Sequence, residues 1–333
     1  MAAQAENSGE ISLLSEDLLA LILKKVTDQD DRKSCSEVPN LLQFKASQLT
    51  TDSDLEFIAQ QCPKIEDVKI TDFSSHERGF LGRKGLSALA NGCPKLSKVS
   101  LVGDKIGNAA VVELVNSAHS LTSLELGHSL IGDTSLRAIA SSSSIKILKL
   151  KSCCNITDRG LGCLATGSTS KTLIKLVLKR CAKITDDGVK LLSKMRRLEQ
   201  LSLCCCRGEV TDIGGLAISA IRNLKELKLH DLVGVSDLAI AALAFCRNLE
   251  LLDIKGCVGV TGAGIRAFSS HQGLKRLVLL GLRNFDLSDV ESLALGCPSL
   301  ESESVVVDQS WRLDPTWSDE LMHDNTRRVL KFL

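Results

Sequence analysis

The chain of 333 residues has no tyrosine, only five prolines and an aromatic fraction of 3%. Without aromatic stacking platforms it lacks the groups on which single-stranded nucleic acid binds. It also lacks a charge imbalance, because 41 basic residues stand against 40 acidic ones and leave no net field for nucleic acid or a membrane surface. No apolar run approaches the roughly 18 residues of a membrane span. We therefore expect no nucleic-acid partner and no membrane partner.

The sequence also lacks the motifs of a catalytic, cofactor or metal site. No Gly-Lys-Ser/Thr loop or complete G-x-G-x-x-G is present, and no histidine lies in a recognisable nucleophile or metal motif. The scattered histidines are His76, His119, His128, His230, His271 and His323. We expect a protein without catalytic activity, without a cofactor and without a bound metal.

The first ten residues, MAAQAENSGE, have neither the basic flank nor the apolar stretch of a signal peptide. We expect residues 1–10 to be disordered. We expect the protein to reside in the cytoplasm, the nucleus or both.

An internal repeat dominates the rest of the chain. The pattern L-x-x-L-x-L occurs ten times, with successive starts 24 to 31 residues apart. The segments begin at Leu41, Ile65, Leu96, Leu121, Ile145, Leu173, Leu198, Leu224, Leu249 and Leu274. Periods of about 20–29 residues are typical of leucine-rich repeats, each a short strand followed by a helix. The pattern predicts an α/β solenoid of horseshoe-like shape, with parallel strands on the concave face and helices on the convex face.

The segment from Leu173 shows how one repeat should be built. Leu176 is expected to point into the core, whereas Lys175 faces the concave side, because side chains alternate along a strand. Leu252 occupies the same inward position as Leu176 in a later repeat. Thr185 is predicted to cap the next helix. The two aspartates that follow it should favour the positive end of the helix dipole.

The thirteen cysteines do not resemble a metal site, because C-x-x-C pairs and Cys/His sets at ligand spacing are missing. Four of them follow a repeat strand at one equivalent position: Cys153, Cys181, Cys206 and Cys257. We interpret these four as a column of buried structural thiols, since free cysteine packs as a small hydrophobe with a weak S–H donor. Zinc binding or redox sensing is the alternative.

The recurring cassette C-x-x-I-T-D-x-G-L resembles the cysteine-containing leucine-rich repeats of F-box/LRR proteins, with a plant-like character. The resemblance covers about residues 41–300. Members of that family are substrate-recognition subunits of SCF-type E3 ubiquitin ligases. The resemblance therefore implies a receptor, not an enzyme, that binds target proteins through its concave face for ubiquitin-dependent degradation.

Residues 11–38 resemble the first half of an F-box, because their apolar residues recur at helical spacing. In the family the matching stretch packs against the Skp-type adaptor, which joins the receptor to the cullin scaffold. The residues that match the adaptor-facing positions are Leu14, Leu18, Leu19, Ile22 and Val26. The alternative is an ordinary amphipathic helix that caps the end of the solenoid.

The chain departs from the F-box pattern at Val38. Pro39-Asn40-Leu41 follows directly and is already a repeat start, so the Cys-Lys-x-Trp type motif and third helix of the family are missing. We interpret this as a partial F-box in a shortened form, as from a skipped exon, with weakened adaptor binding. The alternative function is a non-catalytic interaction scaffold, or a shortened form that binds substrate but not the Skp-type adaptor.

The repeats should span residues 39–307, followed by a cap or tail at 308–333. This tail holds both tryptophans, Trp311 and Trp317, and a helical-looking stretch. We interpret the tryptophans as covering the last repeat. Partner binding by the tail is the alternative.

Basic residues concentrate at the strand positions that should line the concave face. Ten of these thirty positions are basic and four are acidic, although the whole chain is balanced. This excess predicts binding of an acidic or phosphorylated protein segment, with lysines acting as point charges. A solvated lysine-rich face without a specific ligand is the alternative. The substrate-binding candidates are Lys149, Lys151, Lys175, Lys179, Lys228 and Lys255, of which the first four should cluster with no acid between them.

Overall fold

The computed structural model describes residues 41–46, 51–72, 82–104, 106–206, 209–282, 284–308 and 324–332. The predicted partial F-box at 11–38, with its adaptor-facing residues, lies outside this part of the chain. So do the first ten residues and the two tryptophans of the tail. Within the described residues no helix is long and apolar enough to cross a membrane.

The described part of the chain forms one parallel sheet of twelve strands, ordered as in the sequence. Each of the ten predicted segments contributes a strand that begins two residues after the segment start. The strands are β1 (Gln43–Ala46), β2 (Asp67–Asp72), β3 (Lys98–Gly103), β4 (Ser123–Gly127), β5 (Ile147–Lys151), β6 (Lys175–Lys179), β7 (Gln200–Cys204), β8 (Glu226–His230), β9 (Leu251–Asp253), β10 (Arg276–Val278), β11 (Val305–Val307) and β12 (Leu330–Phe332).

Helices alternate with the strands and connect each strand to the next. In the described residues they are α1 (Asp52–Gln61), α2 (Arg83–Gly92), α3 (Asn108–Ser117), α4 (Asp133–Ser141), α5 (Asp158–Thr166), α6 (Asp186–Leu191), α7 (Asp212–Ser219), α8 (Asp237–Leu243), α9 (Gly262–Arg266), α10 (Leu287–Gly296) and α11 (Asp324–Val329). Short 3₁₀ turns occupy Ser168–Lys171 and Leu192–Lys194. This alternation confirms the predicted leucine-rich-repeat solenoid, with strands on the concave face and helices on the convex face.

The strand register aligns equivalent residues of successive repeats. Leu176 pairs with Leu148 on one side and with Leu201 on the other. Because strand side chains alternate, this register places equivalent apolar residues of neighbouring strands on the same, core-facing side. Leu176 and Leu252, both predicted to point inward, are 0% exposed. The core is therefore continuous from repeat to repeat.

The predicted cysteine column is present. Cys153, Cys181, Cys206 and Cys257 are all fully buried. Cys257 donates its S–H to the carbonyl of Leu229 on the preceding strand, with 3.0 Å between Sγ and O. Burial raises the pKa of Cys181 and Cys257 to about 12. These thiols therefore stay protonated and serve as packing groups.

A left-handed residue ends most of the central strands. His128, Ser152, Arg180, Cys205 and Asp231 all have φ between 48° and 56° at one equivalent position. Left-handed backbone is unfavourable for residues other than glycine, by about 1–2 kcal/mol each. The N–H of each residue donates to a carbonyl of the following repeat, at 2.7–2.9 Å. This hydrogen bond offsets the local cost and turns the chain from the sheet into the core.

Carboxylates link each central repeat to the next. Asp186, the first residue of α6, accepts hydrogen bonds from both the backbone N–H and the hydroxyl of Thr211, at 2.8 and 2.6 Å. Thr211 caps α7 by accepting from the N–H of Ile213. Thr185 was predicted as a cap and caps α6 in the same way, while donating to Asp158 of the preceding repeat. We call this series of contacts the aspartate ladder.

The aspartate ladder is continuous over the central repeats that the structure describes. The acceptor and donor pairs are Asp133 with Thr157, Asp158 with Thr185, Asp186 with Thr211, Asp212 with Ser236, and Asp237 with Thr261. At the N-terminal side Asn108 accepts from Gly132 and Ser135 in the equivalent way. The first-turn aspartate therefore serves the neighbouring repeat as well as its own helix.

The C-terminal end of the described chain adds two strands, β11 and β12, that the leucine pattern does not predict. Val305, Val306 and Val307 form β11, although the repeat pattern is lost at Glu303. In the segment predicted as a cap or tail, the described residues form α11 and β12. Strand β12 pairs with β11 in parallel and extends the sheet by one strand.

We predict that Asp186→Ala destabilises the protein far more than Asp187→Ala. The first change leaves the partly buried N–H and hydroxyl of Thr211 without an acceptor and should cost about 2–3 kcal/mol. Asp187 has the same charge in the same helical turn, but its side chain is 80% exposed and contacts only Lys190. Urea unfolding of both variants measures the difference. Equal unfolding midpoints would contradict the aspartate ladder.

Candidate binding face on the concave sheet

Strands β5 and β6 bring together four of the six predicted substrate-binding lysines. Lys151 pairs in register with Lys179, and Lys149 lies opposite Val177, which separates it from Lys175 and Lys179. Parallel pairing holds neighbouring strands about 5 Å apart, so these lysines form one patch on the concave face. The structure thus brings the four lysines together as predicted, but the expectation that no acid lies between them is wrong, because the Glu125 carboxylate contacts both Lys149 and Lys151.

Glu125 on β4 changes the charge available on this patch. Its carboxylate lies 2.6 Å from Nζ of Lys151 and 3.3 Å from Nζ of Lys149. Burial alone would raise the pKa of Glu125, but the hydrogen bond and charge of Lys151, with those of Lys149, lower it overall. Two of the predicted ligand-binding lysines are therefore already paired with a carboxylate.

The remaining candidates keep their charge unpaired. Among the described residues no ion pair involves Lys175, Lys179, Lys228 or Lys255. Lys179 and Lys255 are exposed, and Lys175 and Lys228 are half-buried. The basic part of the concave face therefore lies over β6, β8 and the end of β9.

A shallow depression lies between two of these lysines. Its volume is 190 Å³, and Lys175 of β6 and Lys228 of β8 stand on opposite sides of it. Gln200 and Ser202 of β7 form its floor, and Glu226 lies at its rim. The depression thus combines two cations with an amide and a hydroxyl, which are donors suited to a carboxylate or phosphate.

The structure also assembles a group that the sequence did not predict. Cys204, His230 and Asp253 lie on the adjacent strands β7, β8 and β9, and Cys204 pairs in register with His230. Nε2 of His230 is 2.8 Å from Oδ2 of Asp253. The N–H direction is off the line between these atoms, so the contact is an ion pair more than a linear hydrogen bond. Comparison of the concave-facing residues of neighbouring strands in the sequence would have shown that these three residues lie close together.

No metal site is indicated by this group. Among the described residues there is no set of three or more His, Cys, Asp or Glu side chains arranged to hold a metal ion. The described cysteines are free, and most of them are buried. The group formed by Cys204, His230 and Asp253 is therefore an acid–base cluster on the concave face.

Comparisons with known proteins agree with the fold. Residues 117–140, 141–165 and 169–193 match a family model described as a leucine-rich repeat. A search of curated protein sequences found no match. Among solved structures, an internalin (InlF) from Listeria monocytogenes has a TM-score of 0.52 and 15% sequence identity, over 89% of this chain and 84% of that one. At this identity the similarity shows the fold alone.

Two further structures are similar at a lower level. One chain in the crystal structure of the Rad7 and Elc1 complex in yeast has a TM-score of 0.40 and 16% identity, over 97% of this chain and 98% of that chain. An internalin C2 from Listeria monocytogenes has a TM-score of 0.46 and 22% identity, over 66% of this chain and 83% of that one. Both TM-scores are too low to carry an inference about function. The repeats themselves indicate a protein-interaction scaffold, a type of module that is typically non-catalytic.

We predict that Glu125→Gln lowers stability near neutral pH and has a smaller effect in acid. The lowered pKa of Glu125 means that its ion pairs contribute above the unfolded-state value of about 4.5 and are lost as the pH falls through the lower folded-state value. The loss should be under about 1 kcal/mol, because both lysines are partly exposed. Glu226→Gln is the control, since Glu226 has no ion pair in the described residues. Urea unfolding between pH 7 and pH 4 measures both; a pH-independent loss for Glu125→Gln would contradict the assignment.

Proposed function

We propose that this leucine-rich-repeat solenoid is the substrate-recognition subunit of an SCF-type E3 ubiquitin ligase, and that it holds an acidic or phosphorylated segment of its target on the concave face. The observation that carries the proposal is the unpaired basic surface formed by Lys175, Lys179, Lys228 and Lys255. A protein with balanced total charge concentrates cations on this face, and these four have no ion pair among the described residues.

The depression between β6 and β8 is the site where an anionic group of the target would bind. A carboxylate or phosphate seated there would lie between Lys175 and Lys228 and would accept from Ser202 and Gln200. Lysines act as point charges, so they tolerate either kind of anion. The neighbouring residues Lys179 and Lys255 would contact further acidic side chains along the bound segment.

Residues 11–38 supply the proposed link to the ligase. Their resemblance to the first half of an F-box assigns adaptor contact to Leu14, Leu18, Leu19, Ile22 and Val26. The third helix of the family is missing from the sequence, so the helix predicted for this segment would have less support, and a short helix alone is marginal in water. Ordering it on the adaptor would reduce the net affinity. The Skp-type adaptor and the cullin scaffold are therefore proposed as weakly held partners, in the cytoplasm or the nucleus.

The second candidate function is an interaction scaffold, or a form that binds substrate but does not deliver it to the ligase. The direct junction of Val38 with Pro39 favours it. Such a form would compete with a complete receptor for the same target without promoting ubiquitination. It uses the same concave face, so only adaptor binding separates the two functions.

We predict that Lys175→Glu/Lys228→Glu weakens binding to an acidic phosphoserine peptide by at least about tenfold at low salt, where exposed charges are least screened. Lys171→Glu/Lys194→Glu is the matched control, because both lysines are exposed, lie outside the strands and give the same change in charge. Fluorescence anisotropy on an array of Asp/Glu-rich peptides, with and without phosphoserine, measures the affinities. Equal losses of affinity in the two double variants would mean that only the net charge of the protein matters, and would refute the site.

We predict that the chain binds a recombinant Skp-type adaptor at least about tenfold more weakly than a variant with a complete F-box inserted between Val38 and Pro39. Deletion of residues 1–38 should abolish the remaining binding and leave peptide binding by the repeats unchanged. Calorimetric titration of the three proteins measures this order. Equal affinity with and without the insertion would establish residues 11–38 as sufficient, whereas no adaptor binding by either protein would support the scaffold function.

A further inference from the structure

Cys204 differs in position from the cysteines of the buried column. The column thiols follow the left-handed turn and point into the core, whereas Cys204 is the last residue of β7 and belongs to the concave row with Gln200 and Ser202. Its Sγ lies 3.3 Å from the hydroxyl oxygen of Ser202. The thiol is therefore placed against the floor of the depression described above, and it is 6% exposed.

His230 and Asp253 surround this thiol with polar partners. His230 lies beside Cys204 in register, and its ring contacts the Asp253 carboxylate through Nε2. The side chains of His230 and Asp253 are 25% and 12% exposed, so both contacts are partly shielded from water. The order of the three groups is thiol, imidazole and carboxylate, in which the carboxylate orients and charges the imidazole.

The charges in this cluster favour a thiolate. The contact with Asp253, followed by that with Cys204, raises the pKa of His230 to about 9, so its ring is charged at neutral pH. Burial alone would raise the pKa of Cys204, but hydrogen bonds from His230 and Ser202, with the charges of His230 and Lys179, lower it overall. The column thiols Cys181 and Cys257, by contrast, have pKa values raised to about 12 by burial.

We propose that Cys204 is a site of reversible thiol modification, where its sulfur attacks an anionic low-molecular-weight disulfide and forms a mixed disulfide on the concave face. Cys204 is a thiolate beside the charged ring of His230, and this thiolate attacks one sulfur of the disulfide. One S–S bond forms, the original S–S bond breaks, and the departing thiolate takes the proton from His230. Cys204 is oxidised to the mixed-disulfide level while the departing half is reduced to a thiol.

The surroundings of Cys204 favour an anionic reagent. The charged groups that face the cluster from the adjacent strands and turns are Lys179, Arg180, Lys228, Asp231, Asp253 and Lys255. Cations outnumber carboxylates in this set even before His230 is counted. Lys179 is exposed and pairs in register with Cys204, so rotation of its side chain can uncover the sulfur without disturbing the core.

Two other described cysteines near the surface, Cys205 and Cys154, lack this arrangement. Cys205 donates its S–H to Asp231, and burial together with that contact raises the pKa of its thiol. Cys154 is exposed and contacts only the carbonyl of Ser152, at 3.9 Å. Reactivity that follows exposure would therefore select Cys154, whereas reactivity that follows thiolate character selects Cys204.

A mixed disulfide at Cys204 would also affect the binding face. Ser202 contacts Cys204 and lines the depression between Lys175 and Lys228, so an anionic adduct would occupy the place of the target's anionic group. This consequence rests on the proposed function, whereas formation of the adduct does not.

The test is incubation of the full-length folded protein with oxidised glutathione, an anionic disulfide, and separately with cystamine, a cationic one. Peptide mapping by mass spectrometry then gives the rate of adduct formation at each cysteine. We expect Cys204 to react first with oxidised glutathione, and to prefer it over cystamine more strongly than Cys154 does. Initial labelling of Cys154 or Cys205 with Cys204 unmodified would overturn the proposal.

Variants distinguish reactivity that comes from thiolate character from reactivity that comes from exposure of the sulfur. His230→Gln should slow the reaction of Cys204 by at least about tenfold near neutral pH and restore the rate rise above about pH 8 that is typical of an unperturbed thiol. Asp253→Asn should give a smaller loss in the same direction, and Cys154→Ser should leave Cys204 unchanged. An unaltered rate and pH profile in His230→Gln would overturn the role of the cluster.

A wild-type measurement avoids dependence on the folding of any variant. The rate of alkylation of Cys204 by a small neutral reagent should level off at a lower pH than that of Cys205, because the pKa of Cys204 is lowered and the pKa of Cys205 is raised. Parallel pH profiles for the two cysteines would overturn the proposal. Peptide affinity measured before and after adduct formation tests the consequence for binding. Loss of affinity supports the inference that the adduct blocks the depression. Unchanged affinity with a full adduct refutes that inference but not the formation of the adduct.

Discussion

A carboxylate in one repeat that accepts two hydrogen bonds from the next repeat is the contact on which this structure depends. The backbone sheet alone fixes the spacing of the strands, but the pairing of Asp186 with Thr211 fixes the position of one helix against the next. Both sets of bonds are satisfied only when equivalent residues are aligned. Side chains of the concave face therefore stand in columns, and each neighbour across the sheet is set by the register.

The columns determine the chemistry of the concave face. Glu125 and Lys151 are separated by 26 residues but lie on adjacent strands, where they neutralise each other. Cys204 and His230 are likewise adjacent because of the register. One face thus contains a partly neutralised patch over β4 and β5, an unpaired basic surface over β6, β8 and the end of β9, and an acid–base cluster beside it. The same residue type behaves differently in each place: cysteines that point into the core remain neutral, whereas the cysteine on the face is paired with a cation.

Much of this fold could be predicted from the sequence, because leucine spacing reports directly on which side of a strand is buried. The ten leucine segments located ten strands, and the position after four of these strands located four buried cysteines. Strand β11 was missed because Val305–Val307 lacks the leucine spacing, and its place is set by pairing with β10. The second role of Asp186 was missed because it depends on Thr211 of another repeat. Single positions counted by charge could not show that Glu125 pairs with two lysines. The adaptor-facing residues remain predictions.

The aspartate ladder has a direction, since the acceptor always lies on the repeat that comes first in the chain. A repeat unit can be counted from one capping threonine to the residue before the next. Its threonine donates hydrogen bonds to the preceding repeat, and its aspartate accepts hydrogen bonds from the following repeat. Such units are interchangeable between residues 133 and 261, and the chain can lose or gain one in evolution without creating an unpaired group. Gly262 ends this freedom, because it replaces the aspartate with a residue that has no side chain. Asp289 occupies this place instead: it accepts from the N–H of Asp286, the cap of α10, and also pairs with Arg266. The number of repeats can therefore change in the middle of the chain without loss of these hydrogen bonds, but not at the repeat that contains Gly262. A change in the length of the binding face thus leaves the contacts of the last repeats unaltered.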